Sequence, residues 1–155
     1  MAQVIQRSAG IVPYRRNGDA WQVLLVHPGG PFWAKKDDGA WSIAKGEYQA
    51  PEPGLQAALR EFREETGLDL PGPFRALAPV RLKSGKVVDA WATPADLDVS
   101  GFRSNTFELE YPKGSGVTRS FPEVDRIDWF DLATAQRKIN AGQIGLLLEL
   151  QSILS

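Results

Sequence analysis

The sequence contains no cysteine, which excludes disulfide bonds, thiolate metal sites and a cysteine nucleophile. It also lacks a basic excess: the net charge of −1 gives no electrostatic basis for binding a nucleic-acid polymer. The most apolar run, Ile144–Leu150, is far shorter than the roughly 20 residues that span a bilayer, and the first ten residues lack the apolar core of a signal peptide. We therefore expect one domain over residues 1–155, located in the cytoplasm, with no membrane partner.

The first part of the chain has the pattern of a hairpin followed by a long irregular loop. Ser8–Tyr14 and Trp21–His27 are apolar runs separated by a turn sequence centred on Asn17-Gly18. Pro28–Lys45 is rich in glycine and proline and contains two tryptophans. A loop of this length inside a small domain is more often functional than not.

The clearest helix is predicted over Pro53–Thr66. Proline is tolerated in the first helical turn, and Gly67 followed by an apolar residue is a typical helix stop. At about 100° per residue, the apolar side chains form one stripe that should face the core: Leu55, Ala58, Leu59, Phe62 and Thr66.

The rest of the chain reads as strands followed by two helices. We predict strands at Phe74–Leu82, Val87–Thr93, Thr106–Tyr111 and Arg126–Phe130. A helix capped by Asp131 should run through Ile139. The last helix, Gln143–Leu154, should turn Ile144, Leu147, Leu148 and either Leu150 or Ile153 inward. This order predicts an α/β (α+β) fold with a mixed sheet flanked by helices.

The central helix carries an acidic flank that an ordinary surface helix would avoid. Glu61, Glu64 and Glu65 project beside the core stripe near the C-terminal end. Like charges four residues apart destabilise a helix by a few tenths of a kcal/mol, and the helix dipole disfavours anions at this end by roughly 0.3–1 kcal/mol each. A bound Mg²⁺ or Mn²⁺ would offset these costs, whereas the alternative is a solvated acidic face.

The wider spacing around this helix decides between the two. Gly46, five residues, Glu52, seven residues, then Arg60-Glu61-Phe62-Arg63-Glu64-Glu65-Thr66-Gly67-Leu68 match G-x5-E-x7-R-E-U-x-E-E-x-G-U, where U is bulky and apolar. Seven fixed identities at about 7% frequency each make a chance match on the order of one in ten million per starting position. The chain therefore resembles the Nudix hydrolase family over the 23 residues of its signature, the Nudix box, which is Gly46–Leu68 here.

The resemblance implies a fold, an activity and a metal. Nudix hydrolases are α/β/α sandwiches with a mixed central sheet, and they cleave a pyrophosphate bond in a nucleoside diphosphate linked to another moiety. By position, Glu61, Glu64, Glu65 and the Gly46 carbonyl resemble the ligands of Mg²⁺, for which Mn²⁺ is a possible substitute. Arg60 would orient the carboxylates, and Glu52 would brace the loop of the box.

The resemblance leaves the general base and the substrate open. Glu64 and Glu65 are the first candidates for the base, and Glu108, Glu110 and Glu123 are candidates outside the box. The substrate would be a small nucleotide or polyphosphate: a dinucleoside polyphosphate, a nucleoside triphosphate or ADP-ribose. The entry segment Trp41–Glu47 is similar to the W-x-x-P-K-G-H segment of dinucleoside polyphosphate hydrolases, but Ala44 replaces the proline and Glu47 the histidine. Predicted substrate contacts are Lys45, Trp33, Trp41 and Arg103, with packing as the alternative role for the tryptophans.

Two functions of other classes remain as alternatives. One is a Nudix-fold module that senses a nucleotide without cleaving it, although an intact box argues against it. The other is a purely structural or interaction domain with an accidental acidic helix. Oligomeric state is left open by the sequence.

Overall fold

The computed structural model describes residues 5–155. Its strands are β1 (Arg7–Asn17), β2 (Ala20–Pro28), β3 (Ala44–Tyr48), β4 (Arg75–Ala76), β5 (Val80–Arg81), β6 (Val87–Pro94), β7 (Thr106–Glu110), β8 (Thr118–Pro122) and β9 (Val124–Asp131). Its α-helices are α1 (Gly54–Thr66), α2 (Leu132–Lys138) and α3 (Ile144–Leu154). Short 3₁₀ turns lie at Val99–Gly101 and Ala141–Gln143.

Seven strands form one mixed sheet, with β1 at its centre. The order is β4-β6-β1-β2-β9, with β3 paired to β1 and β5 paired to β6. The pairing of β1 with β6 is parallel, whereas β1 pairs with β2 and β3 in antiparallel fashion. The strands β7 and β8 form a separate two-stranded ribbon. The predicted mixed sheet is therefore confirmed.

Both faces of the sheet are covered by helices, because its strands alternate side chains between two cores. In β2, Leu24 and Val26 belong to the cluster that contains Phe62 of α1. Their neighbours Val23 and Leu25 belong to the cluster that contains the buried side chains of α2 and α3. The predicted α/β/α sandwich is thus the observed architecture.

Helix α1 begins and ends close to the predicted positions. Pro53 is the N-cap, and Gly67 adopts φ 72°, a left-handed conformation, as its N–H donates to the Arg63 carbonyl. Leu55 and Leu59 are only partly buried, whereas Ala57 and Glu65 are buried. The core face is therefore rotated from the predicted stripe toward the acidic flank, which brings Glu65 inside.

One predicted strand needs correction, and two observed strands were not predicted. Phe74–Leu82 is not one strand: it contains β4 and β5, separated at Pro79, which has no N–H for the ladder. Strand β3 lies at the end of the predicted loop and extends into the box, and its sequence AKGEY gives no strand pattern. Strand β8 was not predicted, because TRSFP ends in proline and alternates weakly.

The C-terminal helices differ in their caps and inward faces. Asp131 occupies the N-cap position of α2 without a side-chain cap bond, and its carboxylate accepts a hydrogen bond from the Gln22 amide at 3.2 Å. In α3 the buried leucines are Leu146, Leu147 and Leu150. Leu148, predicted to face inward, is 50% exposed, so the helix face is shifted by one to two residues.

Candidate functional site

The box glycine lies in β3, directly above the acidic helix. Gly46 pairs with Ala9 of β1 in the sheet. A Cβ atom at this position would lie 2.0 Å from the carboxyl carbon of Glu61, far inside van der Waals contact. Glycine is therefore required here, because its backbone packs directly on a predicted metal-binding carboxylate.

Arg60 connects the loop of the box to its helix. Its guanidinium donates to both carboxylate oxygens of Glu52 at 3.0 Å. It also donates to Glu61 at 2.8 Å and reaches Glu64 at 3.5 Å. One planar cation thus holds the loop and two helical carboxylates in fixed relation, as its predicted orienting role requires.

Glu65 is the most buried carboxylate of the group, with 8% of the residue exposed. Burial, reinforced by the charge of Glu61, raises the pKa of Glu65 to about 8. The Lys45 charge and a hydrogen bond from the Lys45 backbone N–H oppose this rise in pKa. Glu65 is thus a carboxylate whose negative charge is only partly compensated by the protein.

Glu123 joins the box carboxylates from outside the box. Partial burial of its carboxyl, followed by repulsion from Glu64, raises the pKa of Glu123. Burial likewise raises the pKa of Glu61, and Glu64 and Glu123 add to this rise while Arg60 opposes it. Four carboxylates therefore lie within electrostatic reach of one another. Within residues 5–155, however, no three acidic or histidine side chains converge as a finished metal cage.

A small cleft opens beside these carboxylates. It has a volume of about 190 Å³ and is lined by Lys45, Glu65 and Glu123 together with Ser42 and apolar side chains of β2 and β9. Burial lowers the pKa of Lys45, and the charge of Glu65 opposes this effect. A lysine and two carboxylates thus share a pocket that could accept a phosphate group.

The other two base candidates lie away from this cluster. Glu108 is exposed on β7. The Glu110 carboxylate accepts a hydrogen bond from the Gly114 N–H at 2.6 Å in the turn that joins β7 to β8. Of the three outside candidates, Glu123 is thus the one that the structure brings to the box.

The predicted substrate contacts divide into core and surface residues. Trp41 is 4% exposed, with its ring packed edge-on against His27 and Phe130, so the prediction that it stacks on a base is replaced by a packing role. Trp33 is half-buried in the loop after β2, edge-on to Phe32. Arg103 is exposed, and its backbone N–H donates to the Thr66 carbonyl at the end of α1.

The buried histidine organises the loop, a role that the sequence did not reveal. His27 is 0% exposed, with Nδ1 2.7 Å from the Asp125 carboxylate and Nε2 2.6 Å from the Lys36 carbonyl oxygen. Both partners accept hydrogen bonds, so the ring ties the loop to β9. A lone histidine at a strand end carries no signal for such a role.

Comparison with known proteins decides the family. A family profile described as the NUDIX domain matches residues 4–150. The chain belongs to the Nudix family. This membership confirms the resemblance found in the box. No helix in the part of the chain that the structure describes is long and apolar enough to cross a membrane.

Solved Nudix structures share the fold at low sequence identity. The NUDIX domain of Shewanella oneidensis NrtR, solved with ADP ribose, superposes with a TM-score of 0.68 at 18% identity, over 99% of this chain and 91% of that one. An Ap4A hydrolase of C. elegans superposes with a TM-score of 0.62 at 21% identity, over 95% and 96% of the two chains. A mutT/nudix protein of Listeria innocua gives 0.64 at 14% identity, over 98% and 96%.

One curated relative is much longer than this chain. An octanoyltransferase of Myxococcus xanthus is 29% identical over 133 residues, which are 86% of this chain and 33% of that protein. The chain thus spans about one third of the relative it matches.

Proposed function

We propose that this Nudix protein is a Mg²⁺-dependent hydrolase that cleaves a pyrophosphate bond in a nucleoside diphosphate linked to another moiety. The observation that carries the proposal is the mutual repulsion of Glu61, Glu64, Glu65 and Glu123, beside a Gly46 backbone that packs on Glu61. Their mutual repulsion costs stability unless a cation binds there.

The donor set fits a hard divalent cation, because every candidate ligand is an oxygen. Glu61, Glu64, Glu65 and the Gly46 carbonyl would hold Mg²⁺, with Mn²⁺ as a substitute. When bound, the metal neutralises phosphate charge and acidifies water. The substrate class in this proposal remains a dinucleoside polyphosphate, a nucleoside triphosphate or ADP-ribose.

The chain's own residues position the reactants. Arg60 fixes the carboxylates of Glu61 and Glu64 through hydrogen bonds. Lys45 lines the cleft next to Glu65, where its ammonium group can bind a phosphate oxygen. For the general base we propose Glu64 or Glu65, with Glu123 as the candidate from outside the box, since Glu123 lines the same cleft.

The test is hydrolysis of a substrate panel by the purified protein. ADP-ribose, a dinucleoside tetraphosphate and nucleoside triphosphates are each incubated with Mg²⁺ or with EDTA, and products are identified by chromatography. We expect turnover of at least one substrate with Mg²⁺, its loss in EDTA, and a loss on the order of 100-fold in Glu64→Gln or Glu65→Gln. Tight nucleotide binding without turnover would instead show a sensing module, and unaltered activity in both variants would contradict the assigned roles.

A further inference from the structure

The ribbon formed by β7 and β8 exposes an apolar face. Phe107 pairs with Phe121, and Leu109 pairs with Arg119, so these four side chains project from one face. Leu109 is 39% exposed, and beyond the strands Tyr111 and Val117 are 40% and 50% exposed. A contiguous apolar surface of this kind on a protein commonly marks a binding site.

Aromatic rings form the centre of this face. The rings of Phe107 and Phe121 lie 6.0 Å apart at an interplanar angle of 36°. Tyr111 packs edge-on against Phe121 at 6.0 Å. Both phenylalanines are only half-buried. The three rings therefore form a platform with free ring surface rather than a closed core.

The ribbon is attached at the carboxylate cluster. The Asn105 N–H donates to the Glu64 carbonyl at 2.8 Å, and the Glu123 N–H donates to the Asn105 carbonyl at 2.8 Å. The ribbon thus begins next to the box residue Glu64 and ends next to Glu123. Phe121 lies near the end of β8, and Glu123 follows that strand directly. The two residues are two positions apart in the chain, so their Cα atoms are separated by at most about 7 Å.

The loop after β2 completes the surroundings of the platform. The Gly29 N–H donates to the Glu123 carbonyl at 2.9 Å, and the ring of Phe107 packs against Gly30. Farther along this loop, Phe32 is 68% exposed, with the Lys36 ammonium 3.4 Å from its ring centre. The surroundings therefore combine exposed aromatic rings with cationic side chains, which suit an aromatic ligand that also carries negative charge.

We propose that the face of Phe107, Phe121 and Tyr111 binds the heteroaromatic base of a nucleotide whose phosphates lie at the carboxylate cluster. This inference rests on the proposed function for the position of the phosphates. The distance along the chain from Glu123 to Phe121, at most about 7 Å between Cα atoms, is comparable to the length of a nucleoside. Arg119, on the same face, lies two residues farther out, where it can meet a second anionic group.

The test compares ligands with and without a base. Calorimetry with Mg²⁺ measures the binding of ADP and of inorganic pyrophosphate to the wild type, to Phe121→Leu and to Phe107→Leu. Leucine keeps the apolar contact but removes the ring. The control is Leu148→Ala, because Leu148 is an apolar side chain that is 50% exposed and lies on α3, across the sheet from α1.

We expect ADP affinity to fall by about 5- to 100-fold in the two phenylalanine variants, the range of base–aromatic stacking, with pyrophosphate affinity unchanged. With a hydrolysed nucleotide, KM should rise more than kcat falls. The control variant should match the wild type for both ligands.

Two results would overturn the inference. One is an equal change, or no change, for ADP and pyrophosphate. The other is loss of a self-associated form in Phe121→Leu, measured by sedimentation, with ADP affinity intact, which would make the face a contact between copies. Failure of the wild type to hydrolyse any substrate would overturn the proposed function instead, and the base-dependent loss of ADP affinity would still support the platform.

Discussion

Glu65 makes the stability of the metal-free protein depend on pH in an unusual direction. Its pKa is raised to about 8, mainly by burial and then by Glu61, whereas an unfolded glutamate titrates near 4.3. At a pH between these two pKa values, Glu65 keeps its proton in the folded state but has released it in the unfolded state. The free energy of unfolding therefore falls as pH rises from about 4.5 to 8, whereas a carboxylate with a lowered pKa would have the opposite effect.

The magnitude follows from the size of the pKa shift. Each unit is worth about 1.4 kcal/mol, so Glu65 titrating alone would lower the free energy of unfolding by up to about 5 kcal/mol across this range. The residue is 8% exposed, so solvent screening reduces this value little. Glu65→Gln removes the titration while keeping the size of the side chain, and should flatten the pH profile.

The assay is urea denaturation in EDTA from pH 5 to pH 9, repeated at high pH with Mg²⁺. The wild type should lose several kcal/mol that Glu65→Gln retains, and Mg²⁺ should restore part of the loss in the wild type, since a ligand of the folded state stabilises it. Glu108→Gln, a matched change on the exposed ribbon, should follow the wild type. Parallel pH profiles for the wild type and Glu65→Gln would refute the reasoning.

Three further predictions concern the parts that hold the site together. Gly46→Ala places a methyl group 2.0 Å from the carboxyl carbon of Glu61, and should lower kcat/KM by about 100-fold. The control, Gly101→Ala, meets only one side-chain carbon, at 3.7 Å, and should leave kcat/KM unchanged. Arg60→Lys loses the two hydrogen bonds to Glu52. Because the pair is partly exposed, the free energy of unfolding should change by less than about 1 kcal/mol, whereas activity and Mg²⁺ affinity should fall. Equal losses in stability and activity would contradict the orienting role. His27→Gln breaks two buried hydrogen bonds and should cost about 2–4 kcal/mol in urea denaturation; an unchanged midpoint would contradict its role in tying down the loop.

The parts of the fold that the sequence predicted are those with a local physical cause. Helix α1 has a proline entry and a glycine exit, and each acts on its own neighbours in the chain. The β1–β2 hairpin follows from two apolar runs around Asn17-Gly18. Strand β3 has no such cause: its pairing with β1 is supplied by the rest of the sheet. Tertiary context therefore overrides a weak local pattern there.

The same distinction separates the parts of the candidate site. The spacing of the box predicted which side chains gather on α1, because helical geometry converts spacing into position. It could not predict that Glu123 lies among them, since that depends on how β7 and β8 leave from Asn105 and return. Nor could it tell a core tryptophan from an exposed one: Trp41 is buried by α2 and β9, which come almost 90 residues later in the sequence. The shared box thus accounts for the carboxylates, whereas long-range contacts set the surroundings that would bind the substrate. We therefore expect substitutions on the ribbon to change which nucleotide is bound, and substitutions in the box to change whether it is cleaved.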